Sequence, residues 1–133
     1  MNNIKRELLK NYIKANIAPI LVDFIEGKDI PNSVLLPSTC KISELNGLYI
    51  DYEYVSPKWF EEIEKNKNIH ILVIDKIDNI DKEEQRKFIE ILEYRKISTF
   101  ELPNNIVIII TANKINKDTI NEEIYSLVAH IEG

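Results

Sequence analysis

The sequence predicts an α/β fold, a three-layer sandwich built on a mainly parallel five-stranded sheet. Three observations carry that expectation. Ile69-His70-Ile71-Leu72-Val73-Ile74 ends on Asp75, and Ile106-Val107-Ile108-Ile109-Ile110 ends on Thr111-Ala112-Asn113. Unbroken β-branched runs of this kind read as central strands buried on both faces. Helical patterns alternate with the strands, as a parallel sheet requires. Ligands of open parallel sheets bind beyond the carboxyl ends of the strands. Asp75 and Asn113 stand at those ends and mark a candidate ligand site.

Taken in order, Ile4, Leu8, Leu9, Tyr12 and Ile13 fall at helical spacing and predict an amphipathic helix over 3–16. The strand candidates are 18–22, 33–36, 69–75, 106–111 and 127–131. Gly27 and Pro31 punctuate the loop between the first two. Residues 38–55 look irregular, with Asn46-Gly47 as a turn signal and an alternating pattern from Tyr49 to Tyr54. Ser56 as N-cap and Pro57 at the first helical position open a helix ending near Lys67-Asn68. That helix turns Trp59, Phe60 and Ile63 inward. Asp81 caps another, with Glu84 three residues on, and Phe88, Ile89, Ile91 and Leu92 form its buried stripe to about Tyr94. Asp118 and Thr119 suit the start of a short helix to about Ser126.

The 133 residues are expected to form one domain, residues 1–133, with the core at 18–133. Hydrophobic residues make up 44% of the chain, which is ordinary globular composition. A net charge of −5 with no Lys/Arg stripe argues against a nucleic-acid partner. Lys5-Arg6 and Arg95-Lys96 read as solvated helix-face pairs. No apolar run approaches the roughly 20 residues of a membrane span, and charges interrupt the N-terminal stretch too early for a signal peptide. The one cysteine, Cys40, excludes an internal disulfide and fits a reducing cytoplasm. With no His beside it in sequence, Cys40 reads as a small buried hydrophobe rather than a nucleophile. His70 and His130 have no companion ligands. Asp75, Asp78 and Asp81 lack the glycine and closing Glu of a Ca²⁺ loop.

Residues 69–113 resemble the nucleotide-binding core of AAA+ ATPases, most closely the MoxR-like branch. The residues that carry the resemblance are Val73-Ile74-Asp75, then Glu84-Gln85-Arg86 through Leu92-Glu93-Tyr94-Arg95, Leu102-Pro103, and Ile110-Thr111-Ala112-Asn113. Upstream, Leu45-Asn46-Gly47 and Pro57-Lys58-Trp59-Phe60 are similar to further family elements. Ile20 to Asp29 lies where the first strand and phosphate-binding loop belong. The resemblance implies a P-loop-NTPase-like sheet with strand order 5-1-4-3-2. It also implies a residual nucleotide site made of Gly27, Lys28, Asp75 and Asn113, with Asp75 as the Mg²⁺ ligand if nucleotide binds.

The departures from the family pattern are as informative. A P-loop needs glycines because its backbone N–H groups wrap phosphates closely. Val22 stands where the first glycine belongs, and Asp29 replaces the Ser/Thr that would hold Mg²⁺. Only Asp29 to Asn32 separates Lys28 from the next strand, so the helix that should follow is missing. Lys76 stands in place of the Glu that polarises water, and a charged ammonium accepts no proton. Ser126-Leu127-Val128 occupies the arginine-finger position without an Arg, a group worth about 10³–10⁵ in rate in phosphoryl transfer. The chain also ends at Gly133, where the family continues into a helical lid.

The expectation is therefore a pseudo-ATPase without catalytic residues: a non-enzymatic interaction or regulatory module. Its partner would be an active AAA+ ATPase or a second copy of itself, with no bound cofactor, membrane or nucleic acid. The alternative is an ATP/ADP-binding protein with weak or no hydrolysis. Each site residue also has a plainer role. Asp75 can cap strand-end N–H groups, Asn113 can make the turn after its strand, and Lys28 can be a solvated loop lysine. Lys76 can pair with Asp78 or Glu44. Loss of the helix after strand one should leave an apolar groove on the sheet unless the 3–16 helix swings over it. Tyr49, Tyr52 and Tyr54 could form an aromatic surface, with Trp59 in the core.

Overall fold

In the computed structural model, which describes residues 3–133, five parallel strands form one sheet with helices on both faces. Helix α1 (Asn3–Ala15) leads into β1 (Ile20–Val22), and β2 (Ser33–Pro37) follows a short 3₁₀ turn at Gly27–Asp29. Then come α2 (Ile42–Asn46), the hairpin strands β3 (Leu48–Ile50) and β4 (Glu53–Val55), α3 (Lys58–Lys65) and β5 (Ile71–Asp75). After a 3₁₀ turn at Ile77–Asn79, α4 (Lys82–Gln85) and α5 (Ile89–Tyr94) flank a third 3₁₀ turn. The chain closes with the small hairpin β6 (Lys96–Ile97) and β7 (Phe100–Glu101), then β8 (Val107–Thr111), α6 (Glu122–Leu127) and β9 (Ala129–Ile131). The sheet order is β9-β1-β8-β5-β2. In sheet-strand numbers that is 5-1-4-3-2. All five predicted strands are present, each trimmed or extended by one or two residues.

The β-branched runs occupy β5 and β8 because those strands are central: Leu72, Val73 and Ile74 pair with Ile108, Ile109 and Ile110, and all six are buried. Alternate side chains point to opposite faces. Leu21, Leu36, Leu72, Ile74 and Ile110 face the layer that holds Trp59, Phe60, Phe88 and Ile91. Ile20, Val22, Ile71, Val73 and Ile109 face the other layer, where α1 presents Leu9, with Tyr12 and Ile13 partly buried beside it. The N-terminal helix thus lies over this face, which is covered instead of forming an open groove.

Several expectations are corrected. The stretch 38–55 is ordered, not irregular: Gly47 ends α2 at φ +78, and a Cβ there would stand 2.4 Å from the Val55 carbonyl oxygen. The hairpin turn is Asp51-Tyr52, not Asn46-Gly47. Pro57, not Ser56, is the N-cap of α3, because its carbonyl accepts from Phe60 N at 3.1 Å and from Glu61 N at 3.2 Å. Asn121, not Asp118 or Thr119, caps α6, accepting from Glu123 N at 2.9 Å. Asp81 caps α4 as expected, accepting from Glu84 N at 2.8 Å. Arg95 is only partly exposed, and its guanidinium donates to the carbonyls of Pro103 (3.0 Å) and Ile106 (2.7 Å). Lys5 likewise donates to the Glu132 carbonyl. No helix among the described residues is long and apolar enough to cross a membrane.

Candidate functional site

The carboxyl ends of β5 and β8 are joined by side chains. Asp75 Oδ1 accepts from Thr111 Oγ1 at 2.8 Å, and the same hydroxyl accepts from Lys76 N at 2.8 Å. Lys76 is left-handed (φ 57, ψ 61), which turns the chain sharply away from the sheet. Ser38 secures that turn, donating its hydroxyl to the Lys76 carbonyl at 2.6 Å. Lys76 Nζ lies 3.3 Å from Glu26 Oε2. Its partner is therefore Glu26, not Asp78 or Glu44, and the ammonium is tied to the residue just before Gly27.

The loop after β1 is folded back on itself. Asp29 N donates to the Glu26 carbonyl at 3.0 Å, and Ile30 N to that of Gly27 at 3.1 Å. A phosphate-binding loop holds such donors outward for the anion. Gly27 is buried, and a Cβ built on it would lie 2.5 Å from Asp75 Oδ1 and 2.9 Å from Leu35 Cδ1. Gly27 thus packs directly against the Asp75 side chain, which stays partly exposed at the strand end. Gly27 and Asp75 are brought together, whereas Lys28 stays exposed on the loop. Asn113 is held elsewhere: its N–H donates to both oxygens of Asp78 (2.9 and 3.0 Å), and its side-chain amide to Asp78 Oδ1 at 3.0 Å. Lys114 N adds a further bond to Asp78 at 3.2 Å.

This donor set does not suit a Mg²⁺-triphosphate. Asp75 Oδ1 is already bonded to Thr111, Asp29 adds a negative charge to the loop, and the N–H groups of Asp29 and Ile30 are used internally. Among the described residues, no group of three or more His, Cys, Asp or Glu is placed to hold a metal ion. Glu26 and Ser38 were not singled out from sequence as partners at this site, and Asp78 was weighed as a partner of Lys76, not of Asn113. Each reaches across tens of residues to a loop, and no periodic pattern signals such a pairing.

A second feature lies at the far edge of the sheet. The hairpin stands beside the outer strand β2, and between them runs a groove of about 440 Å³ whose lining includes Leu35, Leu48, Ile50, Val55 and Trp59. Aromatic contacts anchor the hairpin. Tyr54 meets Tyr49 edge-on at 5.4 Å and stacks on Phe100 at 5.2 Å, and Phe100 meets Phe60 at 5.3 Å. Tyr54 also donates its hydroxyl to the Asn46 carbonyl, and burial pushes its pKa up. Trp59 is in the core as expected, donating Nε1–H to the Leu45 carbonyl at 3.0 Å. Tyr52 at the hairpin tip is fully exposed (101%), and Ile50 is 52% exposed.

No protein-family model matches the chain, and no curated protein is significantly similar to it.

Proposed function

We propose that the protein is a non-catalytic interaction module: a degenerate AAA+-like core that docks onto a protein partner without using nucleotide. The single observation that carries this reading is the close approach of Gly27 to Asp75, which sets the loop against the strand end instead of standing it clear as a phosphate cradle would need. The sheet order 5-1-4-3-2 supports the AAA+-like part. The tether of Lys76 to Glu26 supports the non-catalytic part, since the position of a general base is filled by a paired cation. The exposed apolar hairpin supports the interaction part, because contiguous apolar surface of this kind marks association sites.

The nucleotide-binding alternative draws on one observation, the Asp75–Thr111 pair kept at the ends of two central strands. A thermal-shift titration with Mg-ATP and Mg-ADP separates the two. A ligand at 100 times its Kd adds about 2.7 kcal/mol of stability, several degrees of Tm for a domain this size. The module reading expects no shift at millimolar nucleotide, and a saturable shift overturns it.

A further inference from the structure

The one Asn-Gly pair of the sequence, Asn46-Gly47, turns no hairpin and ends a helix instead. Its glycine is fixed by geometry. At φ +78 the backbone is left-handed, and a Cβ there would meet the Val55 carbonyl oxygen and stand 2.7 Å from the Tyr54 hydroxyl. The same pair is the asparagine context most open to cyclisation, because glycine puts no side chain in the way. In that reaction the Gly47 amide nitrogen loses its proton and attacks Asn46 Cγ, and the side-chain nitrogen leaves as ammonia. Water then opens the cyclic imide at either carbonyl, which leaves aspartate or isoaspartate at position 46.

Asn46 is partly exposed, so water reaches it. The atoms that must move are nevertheless held. Gly47 N–H donates to the Ser43 carbonyl at 2.9 Å, which engages the nucleophile. Asn46 has the helical backbone of α2, which aims the following N–H back along the helix and away from the Asn46 side chain. The Asn46 carbonyl accepts from the Tyr54 hydroxyl, and the neighbouring Leu45 carbonyl accepts from Trp59 Nε1 at 3.0 Å. The orphan carbonyls of this short helix end are thus tied to the hairpin and to α3. Tyr54 is in turn pinned by its stack on Phe100.

We infer that Asn46-Gly47 is a deamidation site kept closed by the docked β3–β4 hairpin, with the Tyr54 hydroxyl as its latch. Conversion requires the last turn of α2 to open, so that Gly47 N–H and Tyr54 let go. Openings of this local kind cost less than global unfolding. The change is one-way. Isoaspartate routes the main chain through its side-chain carbons and adds a methylene between α2 and β3. The acceptor of Tyr54 and the close approach of Gly47 to Val55 both depend on that spacing. A converted chain therefore carries a loosened hairpin.

The test is mass spectrometry of the peptide spanning Asn46 after incubation at mildly alkaline pH. Folded wild type is compared with wild type in guanidinium, with Tyr54→Phe and with Asn46→Gln, whose longer side chain cyclises far more slowly. Circular dichroism checks that both variants fold. The amide-to-acid mass gain should be about tenfold or more slower in the folded wild type than in the denatured chain. Tyr54→Phe keeps the ring and loses the hydroxyl, and should convert about threefold faster than wild type, as one lost hydrogen bond predicts. Hydrogen exchange of the Gly47 amide should quicken in the same variant. A folded wild type that converts as fast as the denatured chain overturns the closed site. A Tyr54→Phe protein with unchanged conversion and unchanged Gly47 exchange overturns the latch. A signal that persists in Asn46→Gln assigns the chemistry to another asparagine and overturns the site itself.

Discussion

Gly27 presses against the carboxylate of Asp75 so closely that a side chain there would overlap it. A Cβ would come within 2.5 Å of Oδ1 and 2.9 Å of Leu35 Cδ1. The residue that a phosphate loop would use for openness is here used for contact. Gly27→Ala must turn the Asp75 carboxylate off Thr111 and move the end of the Leu35 side chain, and overpacking of this kind costs about 1–3 kcal/mol. Urea unfolding of the variant should show that loss. Unchanged stability would mean the loop stands off the strand end and the site is open.

The buried Gln85 side chain clamps three segments. Its amide donates to the carbonyls of Ile80 (3.1 Å) and Thr119 (2.8 Å), and its oxygen accepts from Asn121 N at 2.7 Å. Removing one partner from buried polar groups costs about 1–3 kcal/mol for each group left unsatisfied. Gln85→Leu should therefore destabilise by more than Asp81→Ala, which loses one exposed cap worth about 1 kcal/mol. Denaturant midpoints of the two variants, compared side by side, decide the order.

The hairpin turn is strained where it is most exposed. Asp51 and Tyr52 both have positive φ, 50 and 68, the pattern of a type I′ turn that Asn-Gly suits best. Asp51→Asn/Tyr52→Gly should stabilise the fold, by about 1 kcal/mol given the penalty for L-residues in the left-handed region. Thermal denaturation should show a higher Tm, and an unchanged or lower one would contradict it.

Stability should fall in alkali. Burial pushes the Cys40 thiol above its ordinary 9.0, and burial pushes Tyr54 above 10.0. Both folded values lie above the unfolded ones, so below the unfolded values both states keep their protons and stability is at full. As pH rises past them, the unfolded chain releases protons first and stability drops toward the folded values. Urea midpoints at about pH 8 and about pH 10 should differ in that direction. Cys40→Ala should flatten the earlier part of the fall.

The central sheet was readable because its strands are marked by burial itself: Ile71–Ile74 and Val107–Ile110 are apolar at every position, which only a two-faced burial explains. Asp81 as a cap was readable because the signal is local. The short helix at Ile42–Asn46 and the hairpins were harder to see. Five residues give too little periodicity to count, and Gly47 ends a helix with the same Asn-Gly pair that announces a turn. Arg95 looked solvated because its carbonyl partners, Pro103 and Ile106, are brought near only by the β6–β7 hairpin. At the candidate site, Asp75 and Asn113 were correctly placed at strand ends. What holds them, Thr111 and Asp78, depends on the geometry of loops with no repeat to read.

Titration calorimetry of Mg-ATP into the protein tests the closed site most directly, with Lys28→Ala and Asp75→Ala run beside the wild type. The account predicts no saturable heat for any of the three at millimolar nucleotide. A saturable isotherm in the wild type that both substitutions abolish would show an open, Mg²⁺-dependent nucleotide site and contradict it.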